Sequence, residues 1–155
     1  MDITDIVKAV SVADALFVAY HGVLVPPVTP RYRATPDSTI LELLSLLRRR
    51  MKVIVVSTRS CSALSKIAES VDALICCNGC ETHLPDLIVV PRAVHSYAHV
   101  VLDIARKLES AEMITVELRR TSFGDAVGLA IEWGGTLSKG DRERLELEIK
   151  LGIDK

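Results

Sequence analysis

Residues able to do chemistry gather at a few points in this 155-residue chain. His21-Gly22 interrupts an apolar run from Ala15 to Tyr20 and precedes Pro26-Pro27, so a histidine stands where a buried strand opens into a loop. Histidine can exchange a proton near neutral pH, and the carboxyl edge of an open α/β sheet is where ligands sit. Cys77-x-x-Cys80 followed by His83 begins a zinc-ligand spacing, but the second close pair of ligands that would complete it is missing. Cys76 and Cys77 end an apolar run, where cysteine serves as a small buried hydrophobe. The four cysteines, with Cys61, therefore read as packing, and no metal is expected. His95 and His99, at i and i+4 on one helix face, are a further candidate pair for a transition metal with His83. The plainer reading is two exposed histidines on a helix.

The elements that must position these residues follow from periodicity. Ile3, Ile6, Val7 and Val10 mark a short helix in residues 1–13. After the opening strand comes a loop with Pro26, Pro27, Pro30 and Pro36. Thr35-Pro36-Asp37 supplies a capping hydroxyl, a first-turn proline and an early acid. The helix it starts runs to about Arg50, with Ile40, Leu43, Leu44 and Leu47 inward. Lys52 to Ser57 is a continuous β-branched run, expected to be a strand buried on both faces. Thr58-Arg59-Ser60 opens a second helix carrying Leu64, Ile67 and Ala68, and Ala73 to Cys77 is a third strand ending at Asn78-Gly79. Strand, helix, strand, helix, strand at these spacings predicts a parallel sheet with right-handed crossovers.

Beyond Gly79 the pattern changes. Leu87 to Val90 is a short strand, residues 92–109 an amphipathic helix, and 112–119 and 126–133 an alternating hairpin. Ala126, Gly128 and Ala130, on one face of the second hairpin strand, leave room for a helix. Leu145 to Leu151 alternates as a strand would, but Ser138-x-x-Asp141 and Gly152 are helix signals, and we read a helix. The expected division is a partial α/β core in residues 1–86 and an α+β lobe in 87–155.

Composition excludes several classes. Hydrophobic residues at 49% and charged residues at 25% can build a core, and a net charge of −1 gives no basis for nucleic-acid or anionic-membrane binding. Arg48-Arg49-Arg50 reads as a helix end that complements the dipole. No apolar stretch approaches the roughly 20 residues of a spanning helix, and the N-terminus does not look like a signal peptide. A cytoplasmic protein is expected. The absence of Gln, with Asn78 the single Asn, fits a thermophilic source, in which intracellular disulfides also occur.

Three segments in this order resemble the haloacid dehalogenase (HAD) superfamily, nearest its trehalose-6-phosphate phosphatases. Phe17-Val-Ala-Tyr-His-Gly-Val-Leu-Val-Pro26 resembles the first motif, Asp-Tyr-Asp-Gly-Thr-Leu. Val53-Ile-Val-Val-Ser-Thr-Arg-Ser60 resembles the second, which ends Ser-Gly-Arg-Ser. Leu74 to Asp86 resembles the Asn-Gly-Ala-Glu segment that leads into the cap. The resemblance covers roughly residues 14–135. It implies a HAD-like, Rossmann-like α/β core with an α+β cap, phosphate binding at Gly22, Ser57, Thr58 and Arg59, and substrate or cap contacts at Asn78, Gly79 and Glu81.

The family chemistry passes the phosphoryl group to an Asp, protonates the leaving oxygen with a second Asp and neutralises charge with Mg²⁺. Here Ala19 occupies the nucleophile position and His21 that of the acid/base, while Val23 replaces Thr. If 145–151 were a strand, Lys155 would resemble the family's charge-balancing Lys. No residues follow for the acidic pair that binds Mg²⁺, so no cofactor is expected. The expectation is a catalytically degenerate protein that binds a phosphorylated sugar or a protein partner. The alternative is an active phosphate monoester hydrolase of altered mechanism, using His21 with Ser57 or Cys77 and perhaps completed by a partner chain. Without later strands one edge of Ala15–Tyr20 is bare, so either strand 113–119 covers it or the chain forms a homo-oligomer.

Overall fold

The computed structural model describes residues 2–26, 35–109, 114–133 and 138–153, which form two compact units, Met1–Val90 and Pro91–Lys155. In the first, helix α1 (Ile3–Ser11) leads into β1 (Ala15–Ala19). Helix α2 (Ser38–Arg48), β2 (Lys52–Val56), a 3₁₀ segment Cys61–Ser70 and β3 (Ala73–Cys76) follow, then β4 (Glu81–Leu84) and β5 (Leu87–Val89). The sheet order is β1-β2-β3-β4-β5, with β1, β2 and β3 parallel and β4 and β5 antiparallel additions. β5 belongs to this sheet, which moves the boundary to after Val90 from its expected place after Asp86. The hydrophobic run Leu87–Val89 pairs with β4 through a tight turn at Pro85-Asp86, and this local pairing outweighs the expected separation of a cap.

Local signals account for most ends. Asp37 caps α2, its Oδ1 accepting the Ile40 N–H at 2.9 Å, so the helix starts after the carboxylate and not at Thr35. The segment after Ser60 is 3₁₀ in place of the expected α-helix. Leu64 and Ile67, fully buried, lie three residues apart, a spacing that a 3₁₀ turn stacks on one side.

Burial of β2 differs from expectation. Val53 and Val55 are fully buried, whereas Lys52 and Val56 are exposed. The register pairs Val18 with Val55 with Leu74 on the covered face, and Phe17 with Ile54 with Ala73 on the other. Phe17 is 66% exposed. The β-branched run therefore reflects strand propensity with one packed face, and among the described residues the second face is only partly covered.

In the second unit, α3 (Arg92–Glu109) packs against the hairpin of β6 (Ile114–Arg120) and β7 (Ala126–Trp133), followed by α4 (Lys139–Ile153). Ala105 and Leu108 of α3 and Ala126 of β7 are buried. β6 pairs with β7 in a two-stranded sheet of its own. The 142–151 segment is helical, α4 being anchored by Ser138 Oγ, which accepts the Asp141 N–H at 3.2 Å.

Candidate functional site

The candidate site lies where β1, β2 and β3 end. Parallel register sets Ala19 beside Val56, and the Tyr20 N–H donates to the Val56 carbonyl at 3.0 Å. The Ser57 N–H donates to the Ile75 carbonyl at 2.8 Å, the Cys77 N–H to the Arg59 carbonyl at 2.8 Å and the Asn78 N–H to the Ser57 carbonyl at 3.2 Å. The strand ends and the two loops that follow β2 and β3 are thus stitched into one edge. Ala19, His21, Ser57, Thr58, Arg59, Asn78 and Gly79 all reach it.

The turn after β1 is tight. The Gly22 N–H donates to the Val25 carbonyl at 2.8 Å, and Val25 and Leu24 N–H groups both donate to the Tyr20 carbonyl at 3.1 Å. Gly22 has φ +83°, which an L side chain rarely adopts. Cys77 and Asn78 also have positive φ, 50° and 57°. Two consecutive non-glycine residues in that region cost on the order of 1 kcal/mol or more each. The hydrogen bonds to Arg59 and Ser57 hold them there.

Ser57 is buried, and its Oγ accepts the Arg59 N–H at 3.1 Å. Thr58 is exposed. Arg59, expected to face phosphate, is 6% exposed, with its guanidinium over the Tyr20 ring at 5.8 Å from the centroid. It is a brace between the first two loops. Burial pushes the Tyr20 hydroxyl up, and the charge and hydrogen bond of Arg59 pull it back only in part, so Tyr20 is a neutral phenol at physiological pH. His21 stacks edge-on to Tyr20 at 5.1 Å between ring centroids.

Glu81 does not face the edge. It is fully buried and bonded through Oε1 to His83 Nε2 at 2.7 Å, because its position opposite Cys76 turns it to the packed face. Cys76 is joined to Cys61 in a disulfide, which corrects its reading as a packing thiol. Cys77 and Cys80 lie outside that bond, and among the described residues neither joins a group of three metal-ligating side chains. His95 Nδ1 is 2.9 Å from Asp125 Oδ2, and among the described residues neither His95 nor His99 joins a group of three metal-ligating side chains. Three pairings escaped the sequence reading: Tyr20 with Arg59, Cys61 with Cys76, and Glu81 with His83. Only the last had a local signal, two polar residues at i and i+2 on one strand face.

Mg²⁺ takes oxygen ligands. The Ala19 side chain offers no ligand atom and that of His21 offers nitrogen, so at these two positions only backbone carbonyls could supply oxygen. A cavity of about 370 Å³ bounded by Arg48, Asp72 and His83 opens instead beside the amino end of β3. Among the described residues no helix is long and apolar enough to cross a membrane.

No family model matches the chain, and no curated protein matches it. Solved structures do. A trehalose-6-phosphate phosphatase related protein superposes with a TM-score of 0.70 at 20% identity, over 89% of this chain and 61% of its own. The C-terminal domain of C. albicans trehalose-6-phosphate phosphatase gives 0.72 at 18%, over 96% and 53%. Aspergillus fumigatus trehalose-6-phosphate phosphatase gives 0.59 at 18%, over 99% and 58%. The chain therefore spans between 53% and 61% of the structures it resembles. Identity at this level speaks for architecture. The chain has the α/β fold of these trehalose-6-phosphate phosphatase structures.

Proposed function

We propose that this chain binds a phosphorylated small molecule, of the sugar phosphate class, at the carboxyl edge of β1 to β3 and does not hydrolyse it by an aspartyl-phosphate route. The observation that carries this reading is Ala19 at the end of β1, next to Val56 and the loop Ser57–Arg59. A methyl group cannot attack phosphorus. The parts that would hold an anion without reacting, the Ser57 hydroxyl and the backbone around Gly22, remain at the edge. Fold likeness to phosphatases supports the ligand class, and the loss of the reactive group argues against transferring the activity with it.

The test is a pair of measurements on pure protein. Calorimetric titration with trehalose-6-phosphate and with inorganic phosphate should show binding that Ser57→Ala weakens. Incubation of trehalose-6-phosphate or p-nitrophenyl phosphate with Mg²⁺ should release no phosphate. Turnover that Ser57→Ala abolishes would overturn the non-catalytic reading, and dependence of that turnover on His21 would establish a hydrolase of altered mechanism.

A further inference from the structure

On the packed face of the sheet the metal-ligating side chains of Cys61, Glu81 and His83 converge, with Cys76 bonded to Cys61. Cys76 on β3 lies opposite Glu81 on β4, and His83 follows two residues later on the same face. Cys61, the first residue of the 3₁₀ segment, closes over them through its bond to Cys76. Ligand atoms of Cys61, Glu81 and His83 lie within 4.8 Å of one another, and the carboxylate and imidazole are already in contact at 2.7 Å. Cys61, Cys76 and Glu81 are 3%, 0% and 0% exposed, whereas the His83 side chain at 26% reaches the surface and gives an entry path.

We propose that this cluster is a zinc site gated by the redox state of the Cys61–Cys76 bond. While the bond is intact neither sulfur can act as a thiolate ligand, and only Glu81 and His83 remain. A dithiol reductant delivers two electrons and two protons, leaving as its own disulfide, and converts Cys61 and Cys76 to thiols. Zn²⁺ then displaces both thiol protons to solution and takes two sulfurs, one carboxylate oxygen and one imidazole nitrogen. Four donors of this kind suit tetrahedral zinc, and the two thiolates select it over Mg²⁺. Neighbouring ligand atoms in such a tetrahedron stand roughly 3.3–3.8 Å apart, so the two freed sulfurs separate and the four side chains close around the ion on reduction.

Glu81 is fully buried and paired with His83 at this cluster. A carboxylate with no exposure is costly in an apolar core, yet this one sits on the packed face within reach of a sulfur and an imidazole. Either state of the cluster ties Cys61, and hence the loop Ser57–Ser60 before it, to β3 and β4. The inference does not depend on what the sheet edge binds.

The test uses the full chain reduced by a trialkylphosphine, with Co²⁺ as a spectroscopic stand-in and zinc measured by competition with a chromophoric chelator. The reduced protein should bind a single ion per chain with a thiolate-to-cobalt charge-transfer band, and the oxidised protein should bind none. His83→Ala, at a partly exposed position that leaves the core intact, should weaken zinc by at least about tenfold. Cys76→Ser should remove most of the charge-transfer intensity, and Cys80→Ser should change neither. Failure of the reduced protein to bind either ion would overturn the proposal. So would affinity that is unchanged in His83→Ala but lost in Cys80→Ser.

Discussion

Reduction of the Cys61–Cys76 bond should destabilise the first unit by a measurable and calculable amount. The bond closes a loop of sequence separation 15. Fixing that loop removes unfolded-chain entropy equivalent to about 3 kcal/mol at 25 °C. The cysteines are buried at 3% and 0%, so the native packing around them is close to complete and the loss is chiefly one of constraint. With a urea dependence of about 1–3 kcal/mol per molar, the midpoint should fall by between about 1 and 3 M. The assay is urea unfolding of oxidised and phosphine-reduced protein in the presence of a chelator, followed by hydrogen exchange of β2 and β3 amides. The second unit contains no residue of the bond, and Trp133 on β7, the sole tryptophan, supplies an internal fluorescence control there. Zinc at a hundredfold excess over its dissociation constant should restore about 2.7 kcal/mol to the reduced form. Reduction that shifts the first unit by less than about 1 kcal/mol would refute the loop-closure reasoning.

Further outcomes are expected. Ser57→Ala should weaken phosphate binding by about two- to tenfold, the worth of one hydrogen bond, as read by calorimetry; it should also destabilise the chain, because the buried Arg59 N–H loses its acceptor. Asp72 bears on acid stability. Burial would raise its pKa, but the Val53 N–H at 3.0 Å, Lys52 at 3.3 Å and Arg48 at 3.4 Å hold it below the ordinary 3.8. Its contribution is therefore fully present above that value and is lost as pH falls through the lower folded-state value. Asp72→Asn should flatten this acid limb in a stability–pH profile, at a cost near neutral pH of about 1 kcal/mol given the exposure of both cations. Among the described residues β1 pairs on one side only, and its other edge, with the exposed Phe17 on β1, favours pairing with a second copy of the chain. Light scattering at micromolar concentration should show a dimer or larger species that Phe17→Glu dissociates; a monomer at that concentration rejects the idea.

Much of the fold was legible because its signals are local. The runs Ala15–Ala19, Lys52–Val56 and Ala73–Cys76 declare strands by side-chain type, and the helical periods between them force right-handed crossovers and a parallel sheet. Alternation in 114–133, broken near Gly124, declares a hairpin. Asn78-Gly79 could be read as the end of a strand from turn chemistry, whereas Ala19 and Ser57 stood out only through the resemblance of their segments to family motifs. Side-chain partners across the sheet were not legible. Glu81 read as a residue of the edge until its register opposite Cys76 turned it to the packed face. Nothing in the sequence near Arg59 signals that its guanidinium lies over the Tyr20 ring.

The sequence by itself determined which elements form, in what order, and that alanine and histidine stand at the end of the first strand. Those are properties of single residues and of short periods. Only the tertiary structure decided that Cys61 meets Cys76, that Glu81 and His83 lie beside them, and that Arg59 braces Tyr20. Each of these depends on the registry of strands far apart in the chain, where a shift of one residue would send every side chain to the opposite face.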